Sequence, residues 1–313
     1  MKAGGIWALH LGVVAVLLAL VLILPPYHSN NLARIMVLAV FAMGYNLAFG
    51  YTGLLSLGHA MFFAAGMFAM GLSVWHWGWG GGAALMLGIV AGGMMAGAVG
   101  LLALRTAGVS FMIVTLMFAQ AGYLAILYWG GITGGDEGFV VDSAARIVLG
   151  VDLSADLPRA LAAVVLFAVA LAGSLALVRS RLGRVMVAMR ENEERSRMLG
   201  YDPFRVKLAS LVISGVYAGA AGAAYGLMFG YVGGSFATIQ YSILPMLYVL
   251  LGGAGTVLGP VLGAALMFYL IDTASGFTDA WLFLVGVVLV ALVLFAPKGI
   301  LGTIRERGAK WLP

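Results

Sequence analysis

Residues 179–207 read RSRLGRVMVAMRENEERSRMLGYDPFRVK. The chain is 63% hydrophobic and only 9% charged, yet this stretch holds eight of its seventeen basic residues and four of its twelve acids. Long apolar runs flank it on both sides, so it is a water-facing connection between two membrane spans. Gly183 and Gly200 bracket a run of good helix formers with no interior Gly or Pro. Glu191–Arg195 and Glu193–Arg197 have the acid first at i,i+4, the favoured orientation. Met186, Met189 and Val185 offer apolar contacts near the start of the run, and Met198 and Leu199 near its end. Gly200 suits a left-handed helix stop, and Asp202-Pro203 reads as an N-cap with proline at the first helical position. The expectation is a short helix over 183–200, a stop, and a new helix that launches the next span. Many charge runs are simply solvated faces. A structured, mixed-charge helix held between two spans is also suited to docking a soluble partner.

Composition sets the surroundings. Soluble domains carry roughly 25% charged residues, so a soluble globular fold is excluded. Repeated apolar runs of about 20 residues match a hydrocarbon core roughly 30 Å thick. The 46 glycines would weaken soluble helices, but in lipid they let backbones approach closely and permit breaks that line a cavity. Cysteine is absent, which removes disulfides and thiolate metal sites. The net charge of +5 does not point to nucleic acid, because it resides mostly in loops on one membrane face.

Read in order, the spans fall near 6–24, 32–49, 51–74, 82–104, 109–128, 158–178 and 208–229, with a broken stretch over 243–271 and a last span over 280–295. Lys2 is the only base ahead of the first span and no small-x-small site precedes Pro25, so this span reads as retained rather than cleaved. Trp75, Trp77 and Trp79 cluster as an interfacial belt. The loop 129–157 carries Asp136, Glu137, Asp142, Asp152 and Asp156 against the single base Arg146. The span 158–178 separates this acidic loop from 179–207, placing the two on opposite faces. The basic loop and the tail 297–313, with Lys298, Arg305, Arg307 and Lys310, are then cytoplasmic, and both termini with them. The fold class is an all-α polytopic membrane bundle of about 8–10 transmembrane segments. GLLSLGH at 53–59 and LGGAGTVLGPVLG at 251–263 mark broken or re-entrant helices. Gly53–Gly58 and Gly255–Gly259, one in each half, suggest paired broken helices around a transport path.

No G-x-x-x-x-G-K-[ST] phosphate loop occurs, and no acid falls mid-span. Asp272 and Asp279 sit near an outer boundary, and His10 and His59 are the only histidines within spans. A proton relay therefore has little support, while sodium coupling at broken helices stays open. Paired mid-span carboxylates, metal-spaced histidines and a nucleophile elbow are absent, which argues against a membrane enzyme. Asn46, Ser56, His59, Thr115 and Gln120 are candidates to line a path. Each has an equally good reading as an interhelical hydrogen bond, worth about 0.6–2 kcal/mol in membranes.

Six motifs in consistent order resemble the membrane permeases of branched-chain amino-acid ABC importers, of the LivM type in the LivH/LivM pair. They are GLLSLGHAMFFAAGMF (53–68), Val109-Ser110-Phe111 with Thr115-Leu116, Thr133-Gly134-Gly135 with Gly138, RLGRVMVAMRENEERSRMLGYD (181–202), LGGAGTVLGPVLGA (251–264) and APKGILG (296–302). The chain departs from the pattern at Ser110, where tyrosine is common, and at Gln120, where an acid is common. Permeases for urea, short amides and other amino acids share the family. The resemblance implies a non-catalytic subunit in the bacterial inner membrane, paired with a homologous LivH-like permease. It also implies two cytoplasmic ATPases that bind ATP and Mg, a periplasmic binding protein, and no cofactor on this chain. ATP binding would move the coupling segment and open the pathway alternately to each side. By carry-over, Gly183, Arg184, Ala188, Arg190, Glu191, Asn192, Glu193, Glu194, Leu199 and Gly200 belong to the ATPase contact.

Overall fold

A computed structural model of the chain describes residues 3–277, 280–296 and 298–307. Lys2, Asp279 and Lys310, weighed above, lie outside the described residues, and the tail 297–313 is described only over 298–307. The elements in order are α1 (Ala3–Ile23), α2 (Pro26–Asn46) with a π-helical turn (Leu47–Tyr51), α3 (His59–Trp77), α4 (Gly81–Ala103), α5 (Val109–Tyr128) and α6 (Gly130–Thr133). Short strands β1 (Phe139–Val140), β2 (Ile147–Val148) and β3 (Val151–Asp152) follow. Then come α7 (Asp156–Arg179), α8 (Arg181–Glu191), α9 (Glu193–Met198), α10 (Pro203–Phe229) and β4 (Tyr231–Val232). The chain finishes with α11 (Ile239–Gly252), α12 (Gly259–Phe277), α13 (Trp281–Phe295) and α14 (Gly299–Arg307). Among the described residues, eight helices are long and apolar enough to cross a membrane: α1, α2 with its π-turn, α3, α4, α5, α7, α10 and α12. At 14 residues, α11 is about 21 Å long and falls short of a hydrocarbon core of about 30 Å.

Glycine explains how the centre closes. Lipid tails are as apolar as leucine, so helices associate through close packing rather than hydrophobic exclusion. Gly66 of α3, Gly88 and Gly92 of α4, and Gly215, Gly219 and Gly222 of α10 meet backbone to backbone. A Cβ on Gly92 would lie 2.5 Å from both the Gly215 carbonyl and the Gly219 Cα. The neighbouring α2 is buried almost continuously from Asn31 to Asn46 and packs on α7, α10, α11 and α12.

Both broken helices are real, but one of them is placed differently from expectation. The third span was expected from residue 51, whereas α3 begins at His59 and 52–58 is non-helical, with Gly53 at φ +78°. The second break falls within the expected stretch 251–263. Residues 253–258 are a tight turn joining α11 to α12, because the Gly-rich run ends one helix and Pro260 starts the next. A further non-helical segment, 230–238, precedes α11, and in it β4 pairs with β1 (Val232 opposite Phe139). A buried 3₁₀ turn (Gly234–Ala237) then leads into α11. The two helix starts meet inside the bundle: the Ala60 N–H of α3 donates to the Ser242 hydroxyl of α11 at 3.0 Å.

The charged loop also departs from a single helix. Asn192 turns out of helical conformation (φ −159°, ψ 102°), and its side chain accepts from the Arg195 N–H at 2.8 Å. An asparagine that can cap a new helix competes with the ladder of the old one, so α8 and α9 are separate. That break removes the Glu191–Arg195 helical pair. Glu193–Arg197 does form, at 3.7 Å, and Glu193 also holds Lys207 at 2.6 Å. Gly200 takes the left-handed conformation at φ +88°. Asp202 caps α10 by accepting from the Phe204 and Arg205 N–H groups at 2.9 and 3.4 Å.

Candidate functional site

At the basic end, α8 and α9 form a platform fixed from beneath. The Ser180 hydroxyl caps α8 by accepting from the Gly183 N–H at 3.2 Å. Gly183 rests on the Leu177 and Val178 carbonyls with no room for a Cβ. Met186 and Met189 point into the bundle and are buried. The opposite face exposes Arg181, Arg184, Glu191, Glu194 and Arg195. Beyond them Met198 and Leu199 stand 84% and 71% exposed, two large apolar side chains at the tip of a charged surface.

The ten positions carried over as a docking set are therefore not equivalent. Arg184, Glu191, Asn192, Glu194, Leu199 and Gly200 are exposed, and Ala188 is half-buried. Gly183 is a packing contact, and Glu193 is occupied by Lys207 and Arg197. Arg190 is exposed as well, but one of its guanidinium nitrogens donates to the Gly50 carbonyl at the end of α2. Beneath the platform a cleft of about 500 Å³ is lined by Thr52, Gly53, Leu54, the α4–α5 turn, Arg190 to Glu193 and Lys207.

Four of the five candidate path residues are buried and bonded. Asn46 donates to the Thr256 carbonyl and accepts from the Gly255 N–H, both at 2.9 Å, joining α2 to the α11–α12 turn. The Ser56 hydroxyl accepts from the Gly58 N–H at 3.2 Å. The Thr115 hydroxyl accepts from the Leu57 N–H at 3.1 Å and donates to the Met112 carbonyl at 2.9 Å. His59 Nε2 shares a 2.7 Å hydrogen bond with the Ser214 hydroxyl, and its ring lies edge-on to Tyr45 at 4.6 Å. Asn46, Ser56 and Thr115 thus satisfy backbone donors buried in the bundle, and His59 ties the start of α3 to α10. Gln120 differs. It is half-buried on α5, makes no hydrogen bond among the described residues, and borders the exposed Ile113, Met117 and Leu124.

Sequence reading missed Ser210, Ser214 and Ser242, which bond to Thr52, His59 and the Ala60 N–H. A serine in an apolar helix carries no local sign of a partner so far away in the chain. Arg146 is the single base of the acidic loop, and among the described residues it makes no ion pair with the acids there. Instead its guanidinium donates to the carbonyls of Leu227 (2.7 Å), Leu153 (3.2 Å) and Met228, tying the acidic loop to the last turn of α10. Burial pulls its pKa below the usual arginine value, as does nearby Arg159. Asp152, fully exposed, is held below the ordinary aspartate value by hydrogen bonds from the Ser154 hydroxyl and N–H. Among the described residues, no group of three or more His, Cys, Asp or Glu is placed to hold a metal ion.

A multi-span helical bundle, with two helices started inside it and a structured charged platform at one end, defines a membrane permease component. Residues 27–295 match the family described as branched-chain amino acid transport system / permease component, and the chain belongs to that family. It is 28% identical over 299 residues to the high-affinity branched-chain amino acid transport system permease protein LivM of Escherichia coli (strain K12), covering 87% of this chain and 69% of that protein. The LivM protein of Salmonella typhimurium is 27% identical over 299 residues, with the same 87% and 69% coverage. No solved structure matches the chain with statistical significance.

Proposed function

We propose that this chain is the membrane gate of an ATP-driven importer for branched-chain or related small, apolar amino acids. Its basic end faces the cytoplasm and carries both termini, following the positive-inside rule. The membrane is the bacterial inner membrane, and the acidic loop on the far side meets a soluble binding protein. A homologous permease completes the pathway, and the uncovered face of α5 beside Gln120 supports that pairing. ATP and Mg bind to two separate ATPases, and α8–α9 receives their motion.

The observation that carries this reading is the apolar tip. Met198 and Leu199 are highly exposed at the edge of a platform that is otherwise anchored and charged. Exposed apolar groups rimmed by polar ones mark protein interaction sites. Leu199→Asp tests the reading in the native membrane complex. Uptake is expected to fall about tenfold or more, as for a truncated interface anchor, with membrane insertion unchanged and the ATPase no longer co-purifying. Wild-type uptake and an intact complex in this variant would refute the docking role. Uptake by the chain alone, driven by an ion gradient without ATP, would favour an ion-coupled carrier instead.

A further inference from the structure

Arg190 sits in the last turn of α8, on an element expected to face a soluble partner, and is exposed, yet one of its guanidinium nitrogens bonds back to the bundle. It donates to the Gly50 carbonyl in the π-turn that ends α2. Two glycines make room for it. A Cβ at Gly53 would lie 3.3 Å from the Arg190 Cγ, and one at Gly255 would lie 2.9 Å from a guanidinium nitrogen. Three segments therefore meet at one side chain: α8, the junction of α2 with the non-helical 52–58, and the α11–α12 turn. Asn46 locks the last two together, and Arg305 of α14 adds a bond to the Gly255 carbonyl at 3.1 Å.

What these segments lead to gives the contact its meaning. Residues 52–58 run directly into the start of α3, and α11 ends in the turn that holds Gly255. The far end of α11 is the one that meets α3 through Ser242 and Ala60. Both broken helices are thus tethered, at their basic-end connections, to the same guanidinium. A π-turn is a common local irregularity at functional positions, and packed elements with two arrangements turn small shifts into large ones. We propose that Arg190 is a positioning residue that carries displacement of α8 to α3 and α11 together. This rests on the reading of α8–α9 as the ATPase-facing platform.

The test uses the whole complex, with permease pair, ATPases and binding protein, reconstituted in proteoliposomes. ATP hydrolysed and amino acid imported are measured in the same vesicles for wild type, Arg190→Ala, Arg190→Gln and Arg190→Lys. The expected result is that Arg190→Ala lowers the ratio of amino acid imported to ATP hydrolysed about tenfold, the scale of a lost charged hydrogen bond. Arg190→Lys, which keeps a cationic donor, recovers most of the import. Arg190→Gln reads the same ratio if the alanine variant fails to fold. Parallel loss of hydrolysis and import, loss of the ATPases from the complex, or a wild-type ratio would each overturn the proposal. Wild-type vesicles that import nothing in response to ATP would overturn the proposed function itself, and with it this inference.

Discussion

Asn46 offers the sharpest separation between a path-lining residue and a structural tie. Its amide is buried and spans from α2 to the α11–α12 turn through two hydrogen bonds of 2.9 Å. Asn46→Ala leaves the Gly255 N–H and the Thr256 carbonyl unpaired, while the Arg305 bond to the Gly255 carbonyl and the Thr256 hydroxyl bond to Gly253 persist. Each orphaned buried group costs about 1–3 kcal/mol, and hydrogen bonds within membranes fall toward the lower end. The expected loss is thus about 2–4 kcal/mol. Asn46→Asp refines the argument. The carboxylate still accepts from Gly255 but faces the Thr256 carbonyl without a proton, so at neutral pH this variant is at least as unstable as the alanine one. Reversible unfolding in lipid–detergent micelles, followed by loss of helical signal, measures both effects. If both variants stay within about 0.5 kcal/mol of wild type while import collapses, Asn46 belongs to the pathway and the structural argument is wrong.

Further outcomes follow from other contacts. Gly219→Ala places a Cβ 2.8 Å from both the Gly88 carbonyl and the Gly92 Cα, so overpacking of α4 against α10 should cost about 1–3 kcal/mol in the same unfolding assay. Gly12→Ala on α1, where a Cβ meets nothing within 4 Å, should be neutral or raise stability by up to about 1 kcal/mol through helix propensity. Arg146→Ala should cost about 1.5–3 kcal/mol, the range for hydrogen bonds to a charged donor, with faster hydrogen exchange concentrated where α10 meets β4. Asp152 has its folded pKa depressed, so its contribution to the β2–β3 hairpin is present above the ordinary value of 3.8 and is lost as pH falls through the folded value. A carbon-13 titration of its carboxyl should show a midpoint below 3.8 that moves up in Ser154→Ala.

Hydropathy made most of this fold readable because lipid leaves the backbone few options: helices satisfy their own polar groups and little else does. That is why α4, α5, α7 and α10 fall close to their expected limits. The start of α3 was harder to place, since 52–58 is as apolar as the helix it precedes and only Gly53 and Gly58 hint at the break. The start of α11 was harder still, because the glycines and small polar residues of 230–238 read as an external connection, although much of that stretch is buried. In the charged loop, Gly200 and Asp202-Pro203 could be read locally because left-handed glycine and N-cap chemistry act within a few residues. Asn192 could not, since an asparagine in mid-helix and one that caps a new helix look alike until its partner N–H is placed. The same limit applied to Arg190. Charge and position suggested an outward contact, and only the fold shows the Gly50 carbonyl waiting behind it.

The polar groups inside this bundle are better understood by what they hold than by what they could bind. Thr115, Ser56 and Ser242 bond the backbone donors of residues 57, 58 and 60, donors that a helix start buried in the bundle would otherwise leave unpaired at a cost of about 1–3 kcal/mol each. Thr52 and Ser210 share a bond at 2.7 Å that fastens the same connection to α10. A break supported this completely is expensive to melt but can shift as a unit, because its partners sit on α5, α10 and α11 rather than on α3 itself. Movement of the start of α3 therefore requires movement of its neighbours, and the tethers at the basic end lie where such a movement could be imposed. Sequence periodicity alone would make α3 one more span. The bonds across its broken start tie that start to α5, α10 and α11.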